Sequence, residues 1–233
     1  IYDSVFQENT ATASETLSIF QTTTLLRNAL FTNNTSKSRS RNIVVVESTL
    51  TLSSCTFDLV TQSTNKNEGG SIYAMDSNVY ADNSIFTGSS GADSLRGGVI
   101  YFQTTTAKDL QISSCSFSSL DAVESGSIIY ATGNAKILLN SVEVENPDFS
   151  QNALGQSLFL SGGVTINMTD VTFDSVLNSS NSYLGSYIYL SSSSAYISDS
   201  TFSNTANQMI QCIVADTSSL NISSTSFHSF QAE

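Results

Sequence analysis

Residues 50–57 read LTLSSCTF, and residues 79–86, 110–117, 166–173, 195–202 and 220–227 read VYADNSIF, LQISSCSF, INMTDVTF, AYISDSTF and LNISSTSF. Each octet ends on Phe after apolar residues that alternate with small polar ones. The stretch ILLNSVEV at 137–144 fills the one gap in the series, and weaker copies end at Phe31 (TLLRNALF) and Phe6 (IYDSVF). The octet returns every 25 to 31 residues. Strand-like text at such a period specifies a solenoid laid down one coil at a time.

A second motif keeps the same time. GGSIYA starts at Gly69, GGVIYF at Gly97, GSIIYA at Gly126, GQSLFL at Gly155 and GSYIYL at Gly185, in steps of 28, 29, 29 and 30 residues. Each coil then reads as a Gly-strand, an aliphatic middle strand and a Phe-strand, joined by two turns and closed by a loop of variable length. The fold class is all-β: a parallel β-helix of about nine coils with three strands per coil. At about 4.8 Å per coil the rod is roughly 40 Å long. Residues 1–233 form one body without an internal boundary. The text starts and stops in mid-repeat, so the reading expects a segment of a longer protein.

Alternation across a strand assigns the side chains. In the Gly-strand the fourth residues (Ile72, Ile100, Ile129, Leu158, Ile188) and the sixth (Ala74, Phe102, Ala131, Leu160, Leu190) face inward. The fifth residues, Tyr73, Tyr101, Tyr130, Phe159 and Tyr189, face outward and are expected to stack into an external aromatic ladder. The motif Phe faces inward, and burying one such side chain per coil is worth on the order of 2–3 kcal/mol each. The glycines mark a turn that needs positive φ or has no room for a Cβ. Cys55 and Cys115 share a motif position two coils apart, about 10 Å, beyond disulfide reach. With Cys212 read at the inward sixth position of a late Gly-strand, three unpaired thiols acting as small hydrophobes are expected. An odd Cys bridging to another chain is the alternative.

Charged residues make up only 12% of the chain and hydrophobic ones 39%, so Ser, Thr and Asn carry solubility. The net charge of −12 disfavours nucleic acid, whose phosphates need a basic stripe. All eight basic residues lie at or before Lys136, and the 97 residues after it carry eight acids. No apolar run is long enough to span a bilayer, so direct membrane insertion is not expected of this segment.

The GG-S/V-I-Y segments, together with F-x-x-N-like turns (Phe202-Ser203-Asn204-Thr205 is read as the closest), resemble the repeats of polymorphic outer membrane proteins and of very large surface proteins of protists. The resemblance covers the chain from Phe31 to Phe227. It implies a right-handed parallel β-helix of the pectin-lyase-like kind with adhesive or surface roles. Most Phe residues here are followed by Asp-Leu, Thr-Gly or Ser-Ser without the Asn, a departure from the family pattern.

Several site expectations follow. N-x-S/T tripeptides at Asn33, Asn34, Asn167, Asn178 and Asn221 are N-glycosylation candidates, with Asn167 and Asn221 facing outward between inward residues of the middle strand. The Tyr ladder is a candidate platform for sugar rings, with mutual stacking of the rings as its structural alternative. A β-helix lyase or hydrolase needs carboxylates recurring on neighbouring coils. Here Asp58, Glu145 and Asp174 follow the Phe position while intervening coils offer Thr87 and Ser118. The best local cluster is Asp76, Asp82, Asp93, Arg96 and Asp109, and the sole histidine, His228, has no evident partner. Neither a catalytic residue nor a metal ligand or cofactor is assigned. The reading is a non-catalytic structural or adhesive module of an extracellular or cell-surface glycoprotein. Its partners are further copies or neighbouring domains stacked head to tail, and glycans. The alternatives are a carbohydrate-binding β-helix and, below it, a polysaccharide lyase or hydrolase.

Overall fold

The computed structural model describes residues 1–11, 15–36, 40, 42–59, 67–88, 94–120, 125–145, 156–175, 185–204 and 210–229. Among them 21 strands join one continuous parallel sheet wound into a β-solenoid. One coil shows the plan: the Gly-strand Ile72–Met75, the middle strand Asn78–Asp82 and the Phe-strand Ile85–Gly88. In later coils strands run through the corners, so that Ile129–Glu145 is extended over all three sides.

Coils stack in register. Ile43, Ile72, Ile100, Ile129, Leu158, Ile188 and Ile213 are successive partners in the Gly-strand. Leu50, Val79, Leu110, Ile137, Ile166, Ala195 and Leu220 are partners in the middle strand. In the Phe-strand, Phe31, Phe57, Phe86 and Phe117 stack with ring centroids 4.8–4.9 Å apart. Val144 interrupts the column, and it resumes with Phe173, Phe202 and Phe227 at 5.2 and 5.3 Å. The inward residues of all three sides form one core from Ile19 to Phe202.

The coil count needs correcting from the nine expected. About six turns, the coils from Ile43 to Phe202, have a full coil on each side of them. The flanking coils are part of the rod but are incompletely enclosed. In the last one Leu220, Ile222 and Phe227 are 40%, 38% and 43% exposed.

The corners were not visible as a pattern in the text. A left-handed residue, seldom glycine, turns these corners, either just past a strand or, at Ser141 and Asp170, within a strand that runs through the corner: Glu47, Asp76, Ser192 and Thr217 at one corner, Asn28, Ser54, Asn83, Ser114, Ser141, Asp170, Asp199 and Ser224 at the next. Asn and Asp tolerate that conformation better than most residues. The turned amide keeps the ladder unbroken, as Asp76 N–H donates to the Gln103 carbonyl at 2.9 Å and Asn83 N–H to Ser113 at 3.0 Å. The next residue points inward and is small. Ser77 Oγ donates to the Met75 carbonyl (2.8 Å) and accepts from Ser48 N–H (3.0 Å). Ser84 repeats this, donating to Asp82 (3.0 Å) and accepting from Cys55 N–H (3.1 Å).

Cys55 and Cys115 occupy the same corner as Ser84 and are unpaired. They are more than small hydrophobes. Cys115 Sγ donates to the Ser113 carbonyl at 3.1 Å and accepts from Ser84 N–H at 3.4 Å, the role a serine plays one coil away. Burial pushes the Cys115 thiol up to about 11. Cys212 stands one coil beyond Tyr187, at the third position of its Gly-strand, because Ile213 pairs with Ile188 and Ala215 takes the sixth position. Its expected place at the sixth position is therefore corrected.

Gly69, Gly97 and Gly126 have φ of 71°, 63° and 66°, and a Cβ there would run into the carbonyls of Ile72, Ile100 and Ile129. This sharp turn also puts the third motif residue inside at Val99 and Ile128. Val99, Ile128 and Tyr187 join the core although alternation would turn them out. Tyr187 is fully buried, its ring tilted against Phe173 and Phe202 and its hydroxyl donating to the Ser203 carbonyl at 2.6 Å.

Candidate functional site

The outward aromatic ladder exists, apart from the core. Tyr73, Tyr101, Tyr130, Phe159 and Tyr189 stack with centroids 4.9–5.3 Å apart and planes within 7° of parallel. Val44 pairs with Tyr73 at one end and Val214 with Tyr189 at the other. Register partners thus lie on both faces of every ring. A pyranose stacks on a ring face, and the column presents ring edges.

Burial corrects the expectation further. Tyr73 and Tyr101 are 4% and 6% exposed, while Tyr130, Phe159 and Tyr189 are half-buried. Two short strands, Asn67–Glu68 and Ser94–Arg96, pair in parallel just before the Gly turns, and Arg96 bridges on to Ser125. They bring Glu68 and Arg96 to the ladder, with the Arg96 guanidinium 5.5 Å from the Tyr130 ring centroid. Tyr101 donates its hydroxyl to Gln103 Oε1 at 3.4 Å. Burial, and then the negative charge of Glu68, pushes the Tyr101 phenol up to about 12, with Arg96 opposing.

That shift has a measurable consequence. A phenol in the unfolded chain ionises near 10, whereas native Tyr101 stays neutral to about 12. The unfolded state therefore binds fewer protons above pH 10, and stability falls with rising pH. The contribution is fully present below pH 10 and is lost between 10 and about 12. Urea midpoints measured from pH 8 to 12 are expected to drop over that window, and Tyr101→Phe is expected to flatten the drop.

The acidic cluster does not come together. Asp76 lies at one corner, where its carboxylate accepts from Thr105 N–H at 2.6 Å and Thr105 Oγ1 at 2.9 Å. Those bonds hold its carboxyl below the usual range. Asp82 ends the middle strand Asn78–Asp82 beyond that corner, about 13 Å along the strand from Asn78. Arg96 is on the ladder side, Asp109 donates its amide to Asn78 Oδ1 at 3.0 Å, and Asp93 lies outside the described residues.

His228 has a partner column that sequence reasoning missed. It pairs in register with Ser203, whose hydroxyl donates to Asp174 Oδ1 at 2.6 Å. The order is wrong for a triad, which needs the imidazole between carboxylate and hydroxyl. Glu145 and Asp174 are register neighbours, and Asp58 accepts from Thr32 Oγ1 at 3.2 Å. No group of three or more His, Cys, Asp or Glu that could hold a metal occurs among the described residues.

The sequons separate by exposure. Asn167 and Asn221 are exposed on the outer face of the middle strand, and Asn33 is half-buried at a left-handed corner with φ 54°. Asn178 lies outside the described residues. Asn34 is 3% exposed, which removes it as an acceptor in the folded chain. Its Oδ1 accepts from Asn9 N–H (3.0 Å) and Asn9 Nδ2 (2.9 Å), and its Nδ2 donates to the Phe6 carbonyl and Asn42 Oδ1, both at 2.9 Å. Asn9 and Asn34 each follow a stacked Phe by three residues, so the F-x-x-N turn is present at Phe6 and Phe31 rather than near Phe202.

A shallow groove of about 530 Å³ follows one corner, lined by Ser54, Cys55, Asn83, Ser84, Ser114 and Cys115 among others. Its lining residues are the corner residues that carry the ladder, and no acid–base pair faces it. No protein-family model matches the chain, and neither a curated protein nor a solved structure matches it. The in-register parallel strands and the repeat together make it a parallel β-solenoid.

Proposed function

We propose that this chain is a non-catalytic structural or adhesive module of an extracellular or cell-surface protein. One observation carries the reading: the residues that recur in every coil bond or pack to the coil above and below, and the recurrent side chains are taken up by that stacking. The surface between them is mostly uncharged hydroxyl and amide. The polymorphic outer membrane protein type of repeat is supported by the F-x-x-N turns at Phe6 and Phe31, where Asn34 stitches two coils together. Head-to-tail stacking of a further β-coil, from neighbouring sequence or another copy, into an elongated filament belongs to the same reading. Carbohydrate binding through ring faces of the Tyr ladder is disfavoured by the stacking geometry.

Electron microscopy of native material, with mass spectrometry for glycans at Asn33, Asn167, Asn178 and Asn221, tests the reading. Long unbranched rods carrying glycan are the expected result. Short unmodified particles that cleave an acidic polysaccharide would overturn it.

A further inference from the structure

The outer column of the middle strand runs Leu25, Thr51, Tyr80, Gln111, Leu138, Asn167, Tyr196, Asn221 in successive coils. Its first five members are half-buried, and its last three are exposed. Tyr196 is 50% exposed. It is an outward aromatic whose register neighbours are both asparagines: Asn167 on one coil and Asn221 on the next. Each asparagine opens a sequon, Asn167-Met168-Thr169 and Asn221-Ile222-Ser223. The residues around the column are small: Thr165, Ser194 and Ser219 on one side, Thr169, Ser198 and Ser223 on the other. Thr169 and Ser198 share a hydroxyl contact at 3.3 Å, and Ser219 donates to Ser194 at 2.8 Å, so these hydroxyls lie along the sheet. Tyr196 adjoins both asparagines and its ring is the aromatic surface within reach of either, while half-buried Leu138 lies on the other side of Asn167.

We infer that Asn167 and Asn221 are N-glycosylated and that the first sugar of each glycan packs on Tyr196, a paired modification site with its own aromatic seat. The inference rests on the extracellular reading above. In the step, asparagine Nδ2 attacks the anomeric carbon of an oligosaccharide carried on a lipid diphosphate. The new N–C bond replaces the sugar–phosphate bond, lipid diphosphate leaves, and the amide proton goes to a base of the transferase. Directly opposed residues on neighbouring strands have Cβ atoms about 5 Å apart. A pyranose linked at either Nδ2 therefore comes within reach of the ring and can turn its C–H face to it, leaving its hydroxyls to water and the neighbouring serines. Tyrosine suits this because its body is apolar and its tip polar.

The test is a mutant cycle on the chain secreted from eukaryotic cells, with glycopeptide mass spectrometry on each sample. Tyr196→Ser is compared in the glycosylated protein and in the Asn167→Gln/Asn221→Gln protein. The substitution is expected to lower the Tm by about 2–4 °C more when the glycans are present. Equal shifts with both sites occupied would overturn the seat, and bare Asn167 and Asn221 would overturn the site. Glycan at Asn33 or Asn178 of native material, with Asn167 and Asn221 bare, sinks this inference and leaves the extracellular reading standing. Native material bare at every sequon removes support from both.

Discussion

Phe57→Ala is expected to cost about 3–5 kcal/mol, toward the top of the range for a buried Phe. Phe57 is fully buried, with Phe31 and Phe86 stacked on its two faces at 4.8 and 4.9 Å. The strand that carries it is bonded in register to a coil on each side, through Phe31 and Phe86 themselves. Those ladders hold the walls apart, so the vacated space cannot collapse. Phe227→Ala offers the internal control. Its ring is 43% exposed and stacks on Phe202 at 5.3 Å, and its loss is expected to cost about 1 kcal/mol or less. Urea unfolding followed by circular dichroism and by tyrosine fluorescence measures both. Coincident transitions are needed because a stacked array can melt in parts. Equal costs for the two variants would mean that the Phe column does not carry the rod.

Gly97→Ala is expected to be the second most damaging change, at roughly 2–4 kcal/mol. At φ 63° the added Cβ would meet the Ile100 carbonyl, whose carbon is 2.7 Å away, and Tyr101 N at 2.9 Å. Both are backbone atoms inside the ladder, so neither can step aside cheaply. The amides of Gly97 and Gly98 are tied to Ser125 and Gly126 of the next coil at 3.1 and 2.9 Å. Ser114→Gly should have the opposite sign. Ser114 has φ 51° and an exposed side chain, so removing its Cβ relieves strain and is expected to gain about 0–1 kcal/mol. Denaturation midpoints of the two variants, read side by side, decide the matter. A Gly97→Ala protein as stable as the parent would show that the turn can be rebuilt.

Legibility followed periodicity. The Phe column, the middle-strand pairs and the inward fourth and sixth residues of the Gly-strand could be read because alternation holds inside a strand. It fails at Ser71, Val99 and Ile128, which precede the strand starts at Ile72, Ile100 and Ile129, where the left-handed glycine has already rotated the chain. The corner residues went unread because Asn28, Ser54, Asp76 and Ser114 share a conformation and no single side chain. At the corner before the Phe-strand the spacing was there, three residues ahead of each motif Phe or Val144. The Tyr ladder was predicted in place but not in its burial, because its cover comes from Glu68 and Arg96, short segments outside the two motifs. Asn34 looked like an acceptor because its tripeptide is correct, and only the coil below, with Asn9 and Phe6, shows where its amide is used.

One of the three corners of the cross-section keeps its length from coil to coil: seven residues take Leu50 to Phe57, Val79 to Phe86, Leu110 to Phe117, Ile137 to Val144 and Ile166 to Phe173. From the motif Phe, or Val144, to the next motif Gly the step runs from nine residues (Phe117 to Gly126) to twelve (Phe57 to Gly69, Phe173 to Gly185). From the Gly-strand to the middle strand the step runs from seven residues (Ile72 to Val79) through eight (Ile129 to Ile137) to ten (Ile100 to Leu110), the last with the irregularity between Thr104 and Lys108. The molecule is thus bound like a book, sewn to one fixed measure along a single edge and to a looser one along the other two, where pairs such as Asn67–Glu68 with Ser94–Arg96 still join the pages. New text can be inserted along the two looser edges, coil by coil, without re-sewing the third, so diversification of surface properties is expected to collect there while the fixed edge stays constrained by its neighbours.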